Sequence, residues 1–269
     1  MAVVNRVVRN MASPDDGIRF TPYPPGGRLA PFVRNLWTVH SREECGTSKR
    51  QRIVPDGCID IIFVRTNPTA DYQASVVGTM TRPMFEALTS HVDYIGIRFA
   101  PGGFRHFFDT PPTELTDQIV SLDSLSISTG VGTQLAEANS VRTRLDLLEE
   151  SLNRQLKPAA RDSGIDCILS MIAACDGNVS IAELARRTGW SPRHLRRRFA
   201  TSIGIGPKTF CQIVRFRKAF RILRRSVRPD SLEAALESGY YDQAHFIHEF
   251  GRFYGATPST VACDPHLYF

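Results

Sequence analysis

The stretches ELARRTGWSPRHLRRRF (Glu183–Phe199) and ESGYYDQAHFIHEFGRFYGATPS (Glu237–Ser259) decide the reading of this chain, because they are two copies of one plan. The first copy carries Ala185, Gly189-Trp190, Leu195, Phe199, Gly204 and Pro207; the second carries Ala235, Gly239-Tyr240, Phe246, Phe250, Gly255 and Pro258. The offset is 50 residues up to the turn and 51 after it, so one residue is inserted. Landmarks kept in order through such a shift mark a repeated unit of helix, glycine stop and second helix.

The local chemistry supports each step. Ser180 and Glu183 are spaced as a capping box, Leu184 and Ala185 face inward, and Gly189 can take the left-handed conformation that ends a helix. Ser191 caps the next helix, with Pro192 in its first turn where a missing N–H costs nothing. Leu195 and Phe199 fall at i,i+4 on the inner face, which leaves Arg193, Arg196 and Arg197 outward near the helix N-terminus. In a helix-turn-helix, that is where base edges are read. The second copy repeats the plan: Asp230 and Glu233 form the box, Gly239 the stop and Asp242 the next cap. Phe246 and Phe250 point inward, and Gln243, Ala244, Ile247 and His248 make a more neutral outward set suited to base edges, thymine methyls and phosphates. This copy is expected to grip less strongly. Trp190 and Tyr240, at the turns, read as core residues rather than base stackers.

Between the copies, Pro207 to Arg225 reads as one helix carrying Phe210, Ile213, Val214, Phe220 and Leu223, interleaved with Arg215, Arg217, Lys218, Arg221, Arg224 and Arg225. A rigid connector would hold the two readers about 34 Å apart, one turn of B-DNA.

Charge agrees with this division. The 269-residue chain has a formal net charge of +6, and all of the excess lies after Ala159. Between Arg186 and Arg228 stand fourteen Lys and Arg and no Asp or Glu. A solvated helix face normally mixes signs, so a run this one-sided points to an anionic partner, most commonly nucleic acid. At 42% hydrophobic and 22% charged residues the composition is that of a globular chain long enough for two domains. Six cysteines without a dense pattern, and an opening MAVVNRVVRN with no apolar signal region, lead us to expect reduced thiols, a cytoplasmic and nucleoid-associated location and no membrane partner.

The front half reads as β-rich. Phe32–Val39 and Asp93–Phe99 look like strands, and Pro55-Asp56-Gly57 is a turn between two β-branched stretches within Arg52–Val64. Leu135, Val141, Leu145, Leu148, Leu152 and Leu156 recur at helical spacing, which predicts one or two helices closing the domain. The expected fold is α+β: a barrel-like or sandwich N-terminal domain with closing helices, then an all-α tandem helix-turn-helix. The expected divisions are a lead over residues 1–20, a sensory or dimerisation domain over 21–157, a linker over 158–164 and the tandem unit over 165–269.

Other constellations are weaker. His245 with His248, and Cys263 with His266, lack a four-ligand zinc spacing, so no metal or other cofactor is expected. Cys58 between Asp56 and Asp60 has no visible base, so an inert thiol is favoured over a nucleophile, and the two acids over a hydrolytic pair. No catalytic residue is assigned and no enzyme activity is expected. The rival readings are an alkyl acceptor using Cys58 and a nonspecific DNA coater.

Through the two quoted segments, over about Ile165–Val261, the chain resembles the AraC/XylS family of transcription regulators, whose DNA-binding domain is two helix-turn-helix units joined by a helix. The resemblance implies base contacts from Arg193, Arg196 and Arg197, and from Gln243, Ala244, Ile247 and His248. Ala234 stands where the family usually has isoleucine, and His248 where arginine is common. More loosely, YPPGGRLAPFVRNLW, RIVPDGCIDIIF and GIRFAPGGF resemble the N-terminal domain of one subgroup, thought to be sensory or dimerising. The partners implied are double-stranded DNA, with RNA polymerase, a small-molecule effector and a second copy of the chain as further candidates.

Overall fold

The computed structural model describes residues 18–41, 49–67, 69–88, 93–125, 131–158, 162–225, 230–263 and 267–268. Most of the expected N-terminal lead and His266 lie outside them. The strands are β1 (Ile18–Tyr23), β2 (Val33–Ser41), β3 (Lys49–Ile53), β4 (Ile59–Arg65), β5 (Gln73–Val77), β6 (Met84–Leu88), β7 (Asp93–Phe99), β8 (Ile119–Ser121) and β9 (Leu267–Tyr268). Six of them form an antiparallel sheet in the order β1-β2-β7-β4-β5-β8.

Period-two alternation divides that sheet into two faces. Ile59, Ile61 and Phe63 of β4, with Ile95, Ile97 and Phe99 of β7, enter one core. Trp37, Val39, Ile62 and Tyr94 pack on the other side. Two helices, α1 (Val131–Glu137) and α2 (Val141–Gln155), cover the first face through Leu135, Leu145, Leu148 and Leu152, the residues whose spacing announced them.

The turn at Pro55-Asp56-Gly57 separates β3 from β4, but the two strands do not pair. Instead β3 lies in a second sheet of order β6-β3-β9, antiparallel to β6 and parallel to β9. β9 arrives from the far end of the chain, a pairing that no local pattern signals.

The second domain is helical: α3 (Ser163–Ala174), α4 (Ile181–Thr188), α5 (Pro192–Ile203), α6 (Pro207–Arg225), α7 (Ser231–Glu237) and α8 (Gln243–Tyr254). α3 begins inside the stretch read as linker, where the Asp162 carboxylate accepts from Ile165 N–H at 3.3 Å. α6 has the bounds its sequence pattern indicates. Its inner face is Phe210, Ile213, Phe216, Ala219, Phe220 and Leu223, whereas Val214 is only partly buried.

That face joins both helix pairs in one core. Phe210 meets Phe199 of α5 with ring centroids 5.4 Å apart, and Phe216 meets Phe250 of α8 at 5.1 Å. Edge-on aromatic pairs of this kind add about 0.5–1.5 kcal/mol each beyond the burial of their area. The connector is thus packed against both units. Val54, just after β3, is buried in the same helical core, so the two domains interlock. Among the described residues no helix is long and apolar enough to cross a membrane.

Candidate nucleic-acid interface

The first helix pair is built as its residues require. Ser180 Oγ accepts from Glu183 N–H at 3.1 Å, and α4 ends at Gly189 with φ +67°. The capping box is only half formed, because the Glu183 carboxylate turns forward to Arg186 and Arg187 at 2.7–2.9 Å instead of back to Ser180. Two nearby guanidiniums outbid one amide for that charge. Ser191 then caps α5 by accepting from His194 N–H at 3.2 Å. Leu195 and Phe199 are fully buried, and Arg193, Arg196 and Arg197 stand exposed on the opposite face. Among the described residues these three meet no acid.

The rest of the basic run is different. Arg198 pairs with Asp162, Lys218 with Asp176 at 3.0 Å, and Arg215 with Glu249 at 3.2 Å. Arg217 is drawn into the domain boundary, facing Asp56. A stretch without acids in sequence meets acids in space, because folding brings them from α3, α8 and the β domain. Among the described residues, the charge of this run left for an outside anion lies on Arg193, Arg196 and Arg197, on Lys208 and on the exposed end of α6, at Arg221, Arg224 and Arg225.

The second pair follows with one change. Asp230 accepts from Leu232 N–H at 2.7 Å and Asp242 from His245 N–H at 2.7 Å, while Phe246 and Phe250 are fully buried. Gln243, Ala244, Ile247 and His248 are all exposed, as expected of an outward face. The inserted residue is Tyr241, 96% exposed immediately before the cap of α8. Sequence reasoning passed over it, although the shift from 50 to 51 pointed to that turn. It also passed over Glu249, only 3% exposed, which accepts from Gln212 Nε2 at 2.7 Å and ties α8 to α6.

Trp190 and Tyr240 are packing residues. The Tyr240 ring meets Phe246 at 5.0 Å between centroids, and Trp190 packs against the helical core, with the Arg198 guanidinium 5.4 Å from its ring.

Elsewhere, His245 Nε2 lies 3.6 Å from Glu249 rather than in a ligand set, and among the described residues no group of three or more His, Cys, Asp or Glu is arranged to hold a metal. Asp60 accepts from Trp37 Nε1 at 3.1 Å and from Arg98 Nε at 3.0 Å, and Asp56 accepts from Cys58 N–H at 2.9 Å. Burial pushes the Cys58 thiol up to about 12 and that of Cys211 to about 11. Thiolate is the reactive form. With Cys167 and Cys175 exposed, an alkylating reagent at neutral pH is expected to modify those two while Cys58 and Cys211 stay protected until the chain unfolds. Mass spectrometry of the labelled peptides checks this, and early modification of Cys58 would revive the alkyl-acceptor reading.

Two helix pairs on one core, each presenting the outward face of its second helix, define a tandem helix-turn-helix protein. Residues 184–262 match the family described as a helix-turn-helix domain, and residues 21–121 match a domain of unknown function (DUF6597). Similar proteins include the uncharacterized HTH-type transcriptional regulator YbfI of Bacillus subtilis, 38% identical over 25% of this chain and 24% of that one. HTH-type transcriptional regulator GlxA of Rhizobium meliloti is 38% identical over 29% and 24% respectively. A crystal structure of a probable AraC family transcriptional regulator from Rhodopseudomonas palustris covers 38% of this chain and 96% of its own, at 26% identity and a TM-score of 0.35. Through its C-terminal domain the chain is similar to helix-turn-helix transcriptional regulators. The matched region spans about a quarter of the length of these curated relatives.

Proposed function

We propose that the chain is a sequence-specific DNA-binding regulator that reads two successive major-groove segments, one with α5 and one with α8. The observation that carries this reading is the outward face of α5: three exposed arginines that meet no acid among the described residues, on a helix whose other face is buried in the core. Guanidinium groups suit guanine edges, Gln243 suits adenine, and Ala244 and Ile247 suit thymine methyls. His248 is placed to reach a base or a phosphate.

The β domain, in this reading, supplies control, through a small-molecule effector or through pairing with a second copy. RNA polymerase is a further candidate partner, and the protein works by binding rather than by catalysis. The names of the relatives support regulation of transcription, and the uncommitted charge on α5 supports DNA as the ligand.

Selection of bound duplexes from random DNA by the full chain tests the proposal. The expected product is a motif of two short reads about one helical turn apart, bound about a thousandfold or more tighter than random DNA. Equal, salt-dependent affinity for every duplex would identify a nonspecific coater instead.

A further inference from the structure

The β domain holds the two second helices at equivalent points of the repeat. Gly204 ends α5 and Gly255 ends α8, with φ +94° and +81°, and both lie against the β domain. At Gly204, Thr79 Oγ1 donates to the Ile203 carbonyl at 2.6 Å and Thr116 Oγ1 to the Gly204 carbonyl at 2.8 Å. Arg105 donates to Ser202 Oγ at 2.7 Å, and a Cβ at Gly204 would stand 2.8 Å from the Pro112 carbonyl oxygen. The last carbonyls of a helix have no partner within it, and a cation there meets the negative end of the helix dipole. For α5, the other domain satisfies both needs.

At the second reader the contacts are apolar and cationic. The position of a Cβ on Gly255 is 3.0 Å from Pro83 and 3.5 Å from Phe85, on and just before β6. The Arg52 guanidinium of β3 lies 4.1 Å from the Tyr254 ring centroid and 5.3 Å from that of Phe85. Between these ends the same domain touches the connector, where a Cβ on Gly57 would be 2.4 Å from the Phe210 ring.

We propose that the β domain is a brace that sets the separation of α5 and α8, and with it the spacing between the two DNA segments the protein accepts. Thr79 and Thr116 are positioning residues at one reader, and Arg52 and Phe85 at the other. This inference rests on the DNA-reading function proposed above. Its leverage is geometric. Each second helix has 12 residues, about 18 Å at 1.5 Å per residue. A tilt of about 10° at the glycine end moves the far tip by about 3 Å, close to the ~3.4 Å between successive base pairs. A shift of the β3–β6 sheet relative to the Thr79–Thr116 clamp thus changes the preferred spacing without any contact between the β domain and DNA.

The test uses the full chain on its selected site and on versions with one base pair inserted or deleted between the two reads. Thr79→Val/Thr116→Val replaces both donors with methyl groups, and Phe85→Ala, at a side chain 41% exposed, loosens the other end. The parent is expected to lose about tenfold or more in affinity on each altered spacing. Both variants should discriminate among the spacings by less than about threefold, while a duplex carrying one read alone is bound as by the parent. Variants that keep the parent's spacing profile overturn the brace. So does an equal loss on every duplex, the single read included, because a purely structural defect acts that way. A parent that selects no site at all defeats the DNA-reading function itself, which separates the two failures.

Discussion

Asp56→Ala is expected to lower the stability of the folded chain by about 3–5 kcal/mol, the usual consequence of stranding buried charge. Asp56 sits in the turn between β3 and β4 with its side chain 6% exposed, 3.6 Å from Arg98 and 3.7 Å from Arg34. Arg217 reaches the same place from α6. Burial on its own would raise the Asp56 carboxyl, but Arg98, Arg217 and Arg34 outweigh it and hold it at about 2. On Arg217 burial prevails and brings the guanidinium down to about 10, with Asp56 opposing the fall. Without the carboxylate, Arg34, Arg98 and Arg217 lose the acid they share, while Asp60 stays beside Arg98.

Urea unfolding of the alanine and asparagine variants checks this, since asparagine keeps an acceptor for Cys58 N–H while losing the charge. A cost below about 1 kcal/mol for alanine, the value of an exposed pair, would mean that the cluster does not hold the domains together. The pH dependence has a definite sign. A carboxyl lowered from 3.8 to about 2 stabilises the fold fully above its unfolded value and loses that contribution as pH falls toward 2. Asp56→Asn should remove that part of the acid limb.

On the proposed interface, Arg196→Ala and Arg197→Ala should each weaken binding to the selected site by about 1–3 kcal/mol, roughly 5- to 150-fold. The two arginines are exposed on α5 and meet no acid among the described residues, so their removal is expected to leave the fold intact and the loss to report on DNA directly. A residue that reads a base relaxes preference at one position of the motif, whereas a phosphate contact weakens all sequences and flattens the salt dependence by about one counterion. Mobility-shift titrations at several salt concentrations distinguish these roles. Parental affinity and selectivity in both variants would remove α5 from the interface.

Much of this could be read before any coordinates. The caps at Ser180, Ser191, Asp230 and Asp242, the stops at Gly189 and Gly239 and the inward pairs Leu195/Phe199 and Phe246/Phe250 each depend on residues within a turn or two of one another. The same holds for β7, whose alternation ends at Pro101, and for α1 and α2, whose leucines keep helical spacing. Less was legible where a residue's role depends on what lies across from it. Arg215 and Arg193 look alike in sequence, yet one is bound to Glu249 and the other is exposed and meets no acid among the described residues. β3 and β4 flank one turn and still enter different sheets. Glu183 has the spacing of a capping box and is claimed by two arginines.

By itself the sequence determined that there are two helix pairs, where each begins and ends, and which side of each second helix faces outward, because capping, backbone conformation and apolar periodicity act over a few residues. The tertiary structure alone decided which of the described cations pair with acids, how the strands group into sheets and that the β domain contacts the C-terminal ends of α5 and α8 at matching glycines. Those outcomes rest on contacts between residues dozens to more than a hundred positions apart, such as Thr79 with Ile203, and a short-range pattern carries no information about them.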